Sequence, residues 1–440
     1  MHLPPHHTGH VATALRSGLA LAGLLAALPL MAQSSLSLEE ALKTAKQRNG
    51  TVRAAMLDYE AAKANVKASK SAFLPTVTPS ATQQFGRNET FTGFRTKQNI
   101  DDLSIQLEVS WRLLDSGSRG LSVKQSEFSR ESAALNSLQT LRRTLFTVHS
   151  SFYEALRRQE LLRVQNEQVN RAKVILDQTK FRASDQVGDA PRKDVKQAEA
   201  DYLNSQVSQL TASNRIQTAY ADLKAVLGWG FEELPSLVNP DGFSLKDLDF
   251  TLDSAIKEGL ANRADLKAES KRVEISKVNL KQASLSGNLQ YSVDANYRRS
   301  FSENVSDRSL LSFNVSYPLY DGFRSKEQVR AARLGVESSE AAYLQSERAA
   351  RAEIESAYKE YTQNSLRLQA AEKALETAKE NYRAAVESQK EGAAGILEVL
   401  TAQVTLTTSE SNLVEAKYDA VLSDVRLRLA MGRAMPGEGD

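Results

Sequence analysis

The chain has no cysteine at any of its 440 positions. That excludes thiolate zinc sites, iron–sulfur clusters, disulfide frameworks, Cys nucleophiles and a lipid-bearing N-terminal cysteine. Histidine is almost as scarce: of five, His2, His6, His7 and His10 fall in the first ten residues, which leaves His149 alone in the body of the chain. A Ser-His-Asp enzyme would have to run through that one residue, so the sequence reads as a non-enzyme with no cofactor and no metal centre. Neither charge dominates, with 56 Lys+Arg against 54 Asp+Glu, and nucleic acid, which selects a basic face, is not an expected partner. Only 10 prolines and 21 glycines interrupt the chain. Few breakers among many Ala, Leu, Gln, Glu and Lys residues predict long helices.

Long apolar runs are also missing, apart from one short stretch near the start. Leu19 to Leu30 is almost entirely Leu, Ala and Gly, preceded by Arg16 and followed by Met31-Ala32. A basic residue, an apolar run and a small residue at a cleavage point describe a secretory signal peptide over residues 1–32. The run is too short to cross the roughly 30 Å of a bilayer core as a helix. An exported chain without a spanning helix can still enter a membrane, as a closed β-barrel.

What the sequence does have is a duplication. Leu38, Ala41, Val52, Val66 and Ser69 match Leu252, Ala255, Leu266, Leu280 and Ala283 at an offset of 214, whereas Gly188, Asp194-Val195 and Leu227-Gly228 match Gly392, Glu398-Val399 and Met431-Gly432 at 204. The shrinking offset places a longer non-helical stretch in the first copy. Each copy reads as helix, strand pair, very long helix, tip turn and helix. The first repeat covers 33–228 (strands 75–112, long helix 118–181, helix 191–228) and the second 251–432 (strands 288–319, long helix 323–390, helix 397–431). A linker at 229–250 joins them, and 433–440 is a tail.

The helices share a sevenfold pattern of large residues with small ones three positions later. Val195, Tyr202, Ile216 and Leu223 run beside Ala198, Ser205, Ala212 and Ala219; Ile354, Tyr361, Leu368, Leu375 and Tyr382 run beside Ala357, Ala371, Ala378 and Ala385. Strict heptads specify a left-handed supercoil. In the first helix the series Leu38, Val52, Tyr59, Val66 and Phe73 reads as one continuous element, as does Leu252 to Leu280. A helix over 118–181 is about 96 Å long at ~1.5 Å per residue. Between the helices the period changes from seven to two. Leu103, Ile105, Leu107, Val109 and Trp111 alternate with polar residues, as do Leu289 to Tyr297 and Leu311 to Leu319, with Thr76 to Phe85 a weaker fourth strand. Runs of about nine residues suit tilted membrane strands, and Trp111, Tyr291, Tyr297 and Tyr317 stand where an aromatic girdle lies. Gly86 to Asp101 and Ser300 to Arg308 read as polar loops. Four strands cannot close a barrel, and lipid tolerates no open edge; three chains would supply twelve.

Four segments carry a family resemblance: Leu-Leu-Asp-Ser-Gly-Ser-Arg (113–119), Leu-Tyr-Asp-Gly-Phe-Arg (319–324), and the tip motifs at 187–198 and 391–402. In this order and duplication the chain resembles the TolC family of bacterial outer-membrane efflux and secretion ducts. The resemblance implies a mainly α fold with membrane β: a homotrimer with four strands per chain in a shared 12-stranded barrel, set in outer-membrane lipid above a coiled-coil periplasmic tunnel. It also implies a passive exit coupled through a periplasmic adaptor to an inner-membrane transporter, in type I secretion or in drug or metal efflux. The family's gate places two acidic residues one turn apart at the second tip, tethered by a tyrosine and an arginine. Here the acidic positions hold Glu398 and Thr401, the tyrosine and arginine positions hold Gln389 and Ala394, so one of the four features is kept, and the first tip offers Asp194 and Gln197. Val187, Gly188 and Asp189, with Glu391, Gly392 and Ala393, occupy the turns where family members meet the adaptor. The competing reading is a non-channel periplasmic or surface coiled-coil scaffold or adaptor, which would not need detergent for extraction.

Overall fold

The computed structural model describes residues 35–439 apart from 92, 185–189, 231–234, 240–247, 286 and 302–304. The signal-peptide expectation for residues 1–32 falls outside them. The described part opens with β1 (Ser35–Leu36), α1 (Leu38–Arg48), α2 (Gly50–Ser71), β2 (Thr76–Phe91), β3 (Arg95–Leu114), α3 (Ser118–Arg182) and α4 (Arg192–Leu227). β4 (Ser236–Leu237) lies in the linker, and the second copy follows as α5 (Leu252–Asn262), α6 (Ala264–Ser284), β5 (Gln290–Ser300), β6 (Ser306–Ser316), α7 (Arg324–Lys390) and α8 (Ile396–Ala430). With 65 and 67 residues, α3 and α7 are each about 100 Å long at ~1.5 Å per residue.

These two helices organise a wall of helices. Near the sheet the order across the wall is α2, α3, α6, α7; farther away α4 and α8 replace α2 and α6, packing on α3 and α7. The heptad seams are where the chain buries its side chains. In α4 these are Ala198, Ser205, Ile216, Ala219 and Leu223; in α7 they include Ile354, Ala357, Tyr361, Ala378 and Ala385. Small residues on these seams let backbones approach closely. α8 departs from the single narrow stripe that the sequence suggests. It also buries Leu400, Gln403, Thr407, Val421 and Val425, because it packs on α3 as well as on α7.

Both supposedly continuous helices are broken. The chain turns extended at Asn49 (ψ 122°) and again at Arg263 (ψ 124°), so each is a pair, α1–α2 and α5–α6. The breaks receive the ends of the returning helices. The Asn49 Nδ2 donates to the Val226 carbonyl at 2.8 Å, and Arg263 donates to Ala430 at 3.1 Å. Gly228 and Gly432 close those ends in the left-handed region, φ 72° and 64°; a Cβ on either would lie 2.8 Å from backbone, Arg48 O and Arg263 N respectively. This explains the matched Leu-Gly and Met-Gly pairs of the two copies. Around the first break lies the largest apolar core, with Leu42, Leu145, Val148, Phe152, Leu223, Leu227, Tyr418 and Met435. The tail belongs to it. Arg142, 8% exposed, donates to the Gly432 carbonyl and forks onto the Glu438 carboxylate at 2.9–3.2 Å.

The four longer strands form one antiparallel sheet in the order β2-β3-β5-β6. The first hairpin is far longer than its apolar alternation suggests: pairing continues from Phe85↔Asp101 to Phe91↔Arg95, through the segment read as a loop. Arg87, Glu89, Lys97 and Asn99 occupy this extension; a polar strand leaves no apolar alternation to read. The second hairpin likewise pairs as far as Ser300↔Ser306, and β6 ends at Ser316 rather than Leu319. Pro318, which cannot donate to a ladder, follows two residues later.

Candidate channel wall and periplasmic tip

The sheet has one chemistry on each face, fixed by register. Val77, Val109, Ala295 and Leu311 lie in one row, and Trp111, Val293 and Phe313 in the next. This face is bare in the single chain: Val77, Leu311, Phe313 and Val315 are all at least 60% exposed. From Leu103 to Leu113 is ~34 Å of strand at ~3.4 Å per residue. Tilted by roughly 40°, that gives a band about 26 Å tall, the height of a bilayer-facing belt.

The opposite face is polar and cross-linked. Asp294 accepts hydrogen bonds from Ser110 (2.6 Å), Asn314 (2.7 Å) and Ser292 (3.2 Å). Asp102 accepts from Arg298 at 3.1 Å and from Ser300. One apolar outer face and one hydrated inner face is the pattern of a pore wall. Among the described residues β2 and β6 each pair on one side only, and no helix is long and apolar enough to cross a membrane.

The two Asp-containing turns join sheet to helix. Asp115 accepts from the Gly117 and Arg119 backbone N–H groups (3.2 and 2.9 Å) and from the Arg119 guanidinium (2.9 Å). Asp321 accepts from the Ser325 N–H at 2.9 Å and from its hydroxyl. Each carboxylate thus satisfies N–H groups that the first turn of a helix leaves open. Burial alone would push the Asp115 carboxyl up, but the bonds from Arg119 outweigh it and hold the group below its ordinary range. Arg119 also donates to the Ala72 and Leu113 carbonyls (3.2 and 2.9 Å), tying α2, β3 and α3 together. Two consecutive positive-φ residues make each turn, Ser116-Gly117 and Gly322-Phe323.

Three of the aromatic candidates gather at this end of the sheet. Trp111 donates its indole N–H to the Phe73 carbonyl at 3.1 Å, Tyr291 lies near it in the sheet's register, and Tyr317 directly follows β6. Tyr297 stands three rows farther out, bonded to Asp307 at 3.2 Å. Phe73, which its sevenfold spacing puts on the helix seam, and Leu74, Leu319, Tyr320 and Phe323 are all exposed at the same junction, outside the girdle candidates. Their signal was position, at the switch between the two periods.

At the far end, Asp194 and Glu398 sit in the first turns of α4 and α8, where the helix dipole favours a carboxylate. Gln197 and Thr401 are exposed, and the Thr401 hydroxyl bonds back to the Leu397 carbonyl at 2.7 Å. Among the described residues no side-chain hydrogen bond or ion pair joins these four. Glu398 and Thr401 instead line an open recess with Asn381, Gly395, Leu397 and Ala402. Glu391 and Gly392 end α7, Gly392 at φ +78° with open space around it, and the Ala393 N–H closes the turn on Ser388 at 2.9 Å. Val187, Gly188 and Asp189 lie outside the described residues.

What joins the two tip hairpins is an apolar cluster of Ile175, Leu176, Ala198, Ala385, Ile396, Val399 and Leu400, with polar links above and beside it. Arg171 of α3 reaches Glu410 (2.7 Å) and Thr407 (3.1 Å) of α8, and Gln403 of α8 donates to Asp201 of α4 at 3.1 Å.

The family model for outer membrane efflux proteins matches residues 41–229 and 255–433, both copies of the repeat. The chain belongs to the outer membrane efflux protein family. It is 25% identical over 420 residues to the outer membrane protein TolC of Vibrio cholerae, covering 90% of each chain. To the outer membrane efflux protein BepC of Brucella suis it is 26% identical over 439 residues, covering 94% of this chain and 90% of that one. Among solved structures, the CmeC outer membrane channel of Campylobacter jejuni superposes with a TM-score of 0.80 at 17% identity, over 92% of this chain and 87% of that one. VceC, an outer membrane protein of Vibrio cholerae, gives 0.77 at 17% identity, over 90% and 96%. The protein is an outer-membrane efflux channel of the TolC-like fold, with its sheet in the outer membrane and its helices spanning the periplasm.

Proposed function

We propose that three copies of this chain close into one duct, and that the duct is a passive exit with no catalytic step. The observation that carries this reading is the sheet: a bare apolar face, a hydrogen-bonded polar face and two unpaired edges in one four-stranded element. Lipid requires such edges to be paired, and three sheets make twelve strands. Each protomer adds a wall of helices about 100 Å long, long enough to carry the lumen across the periplasm. A passive duct needs an energy source elsewhere. An inner-membrane transporter supplies it through a periplasmic adaptor, which meets the chain at Gly188 and at the turn of Gly392. The aromatic residues Trp111, Tyr291, Tyr297 and Tyr317 anchor the barrel at the lipid interfaces.

At the tip, three copies of Asp194 and Glu398 form rings of carboxylate around the axis, and a ring of one sign makes a constriction select by charge. Gln197 and Thr401 add neutral polar groups one turn behind. The trimer in planar bilayers should prefer cations, and Glu398→Gln combined with Asp194→Asn should abolish the preference while trimers still form. Unchanged selectivity in the double variant would remove these residues from the permeation path.

A further inference from the structure

The family's gate is tethered by charged and tyrosine contacts, yet Gln389, Ala394 and Thr401 stand where three of the four residues of that pattern belong. The polar contacts between the two hairpins of one protomer therefore lie elsewhere. Across the described residues one hydrogen bond joins α4 to α8: Gln403 Nε2 to Asp201 Oδ2 at 3.1 Å. Gln403 is 0% exposed, and its Oε1 has no hydrogen-bond partner. A wholly buried amide on a helix that otherwise buries Val399, Leu400 and Leu406 is costly unless both ends of the amide are satisfied.

We propose that Asp201 and Gln403 form a tether between α4 and α8 that, beside the Arg171–Glu410 pair, holds the α3–α4 and α7–α8 hairpins together at the tip, in place of the tyrosine and arginine contacts of the family's gate. The inference rests on the duct reading and names the residues that position its gate. The pair has two states. With Asp201 ionised, the amide donates one bond and Oε1 stays empty. With Asp201 protonated, its O–H donates to Oε1 while Nε2–H donates to the other carboxyl oxygen, a cyclic pair with both ends of the amide filled. Acid therefore tightens the tether.

The surroundings favour uptake of that proton. Burial pushes the Asp201 carboxyl above its ordinary range, partly opposed by the bond from Gln403, and no cation contributes. The charged and titratable groups on the packed elements are otherwise engaged or distant in effect. Arg171 of α3 is held by Glu410 and Glu167, Glu410 of α8 by Arg171, and Glu199 of α4 by Lys196. Lys180 of α3 acts on Glu199, and burial raises Tyr382 of α7. Glu398 lies in the exposed recess at the start of α8.

The test is single-channel conductance of the purified trimer in planar bilayers at pH 4 and pH 8, with trimer formation verified in detergent for every variant. Wild type should conduct less at pH 4. Gln403→Leu, which leaves Asp201 facing an apolar side chain, should conduct several-fold more than wild type at pH 4 and lose most of the pH difference. Asp201→Asn, which makes both bonds at any pH, should stay at the low level throughout, with Glu398 intact. A wild-type trimer silent at both pH values beside a conducting Gln403→Leu trimer would also support the tether. Gln403→Leu indistinguishable from wild type, or Asp201→Asn keeping the wild-type pH profile, would overturn it. A protein that forms no trimer in detergent would overturn the duct reading and the tether with it.

Discussion

Leu311 and Ser312 are neighbours in β6 and point to opposite faces of the sheet, so the same substitution at the two sites separates a lipid-facing wall from an ordinary half-wet sheet. Leu311 shares its row with Val77, Val109 and Ala295, near the middle of the apolar band. An Arg near the midplane of a lipid-facing barrel surface costs about 2–4 kcal/mol. Three copies give roughly 6–12 kcal/mol per trimer if the sites act independently. Ser312 lies opposite Asp294 on the polar face, where an added cation meets a carboxylate and water. Leu311→Arg should therefore sharply lower the denaturant midpoint and insertion yield of trimers in lipid vesicles, and Ser312→Arg should leave both within about 1 kcal/mol per chain of wild type. If Leu311→Arg were as well tolerated as Ser312→Arg, the apolar face would not be in lipid. If both were equally damaging, the polar face would be packed rather than lining a lumen.

Two further perturbations test the helical region. Glu438→Ala removes the carboxylate that neutralises the buried Arg142 guanidinium; an orphaned buried charge costs roughly 3–5 kcal/mol, so thermal unfolding should move down by several degrees, whereas a shift equivalent to less than ~1 kcal/mol would make the pair a surface one. His149 is 2% exposed, and burial lowers its pKa to about 4, against smaller raising effects of the Pro436 carbonyl and Asp424. The folded chain thus binds its proton less readily than the unfolded one, and stability falls as pH drops from about 6.5 towards 4, by ~3 kcal/mol in all. His149→Leu should flatten that part of the denaturation profile; an unaltered slope would place its origin in other groups.

The parts of the fold that were legible in the sequence are those with a strong period. Heptads run for several turns in α3, α4, α7 and α8, and strict alternation marks Leu103 to Trp111, because each pattern reports one buried or lipid-facing surface. What broke the period carried no such signal. Asn49 and Arg263 interrupt helices for the sake of Gly228 and Gly432, more than 160 residues away, and nothing local announces a contact at that range. The outer half of the first hairpin is mostly polar, and Phe85, Phe91 and Ile100 are too scattered to mark a period, so its strand register was invisible. The same holds for the site. Asp194, Gln197, Glu398 and Thr401 follow from the tip motifs, but Gln403 reads as one more polar residue on a wet helix. It is buried because α8 serves two neighbours at once, which only the packing reveals.

On the proposed function, this chain becomes a duct only as a trimer in a membrane. Solubilising the protein in detergent, measuring its mass and then recording from it in a planar bilayer tests this most directly. Extraction should require detergent, the mass should correspond to three chains, and the trimer should open discrete ion-conducting events. A chain that leaves the envelope in aqueous buffer as a monomer and passes no current would contradict it.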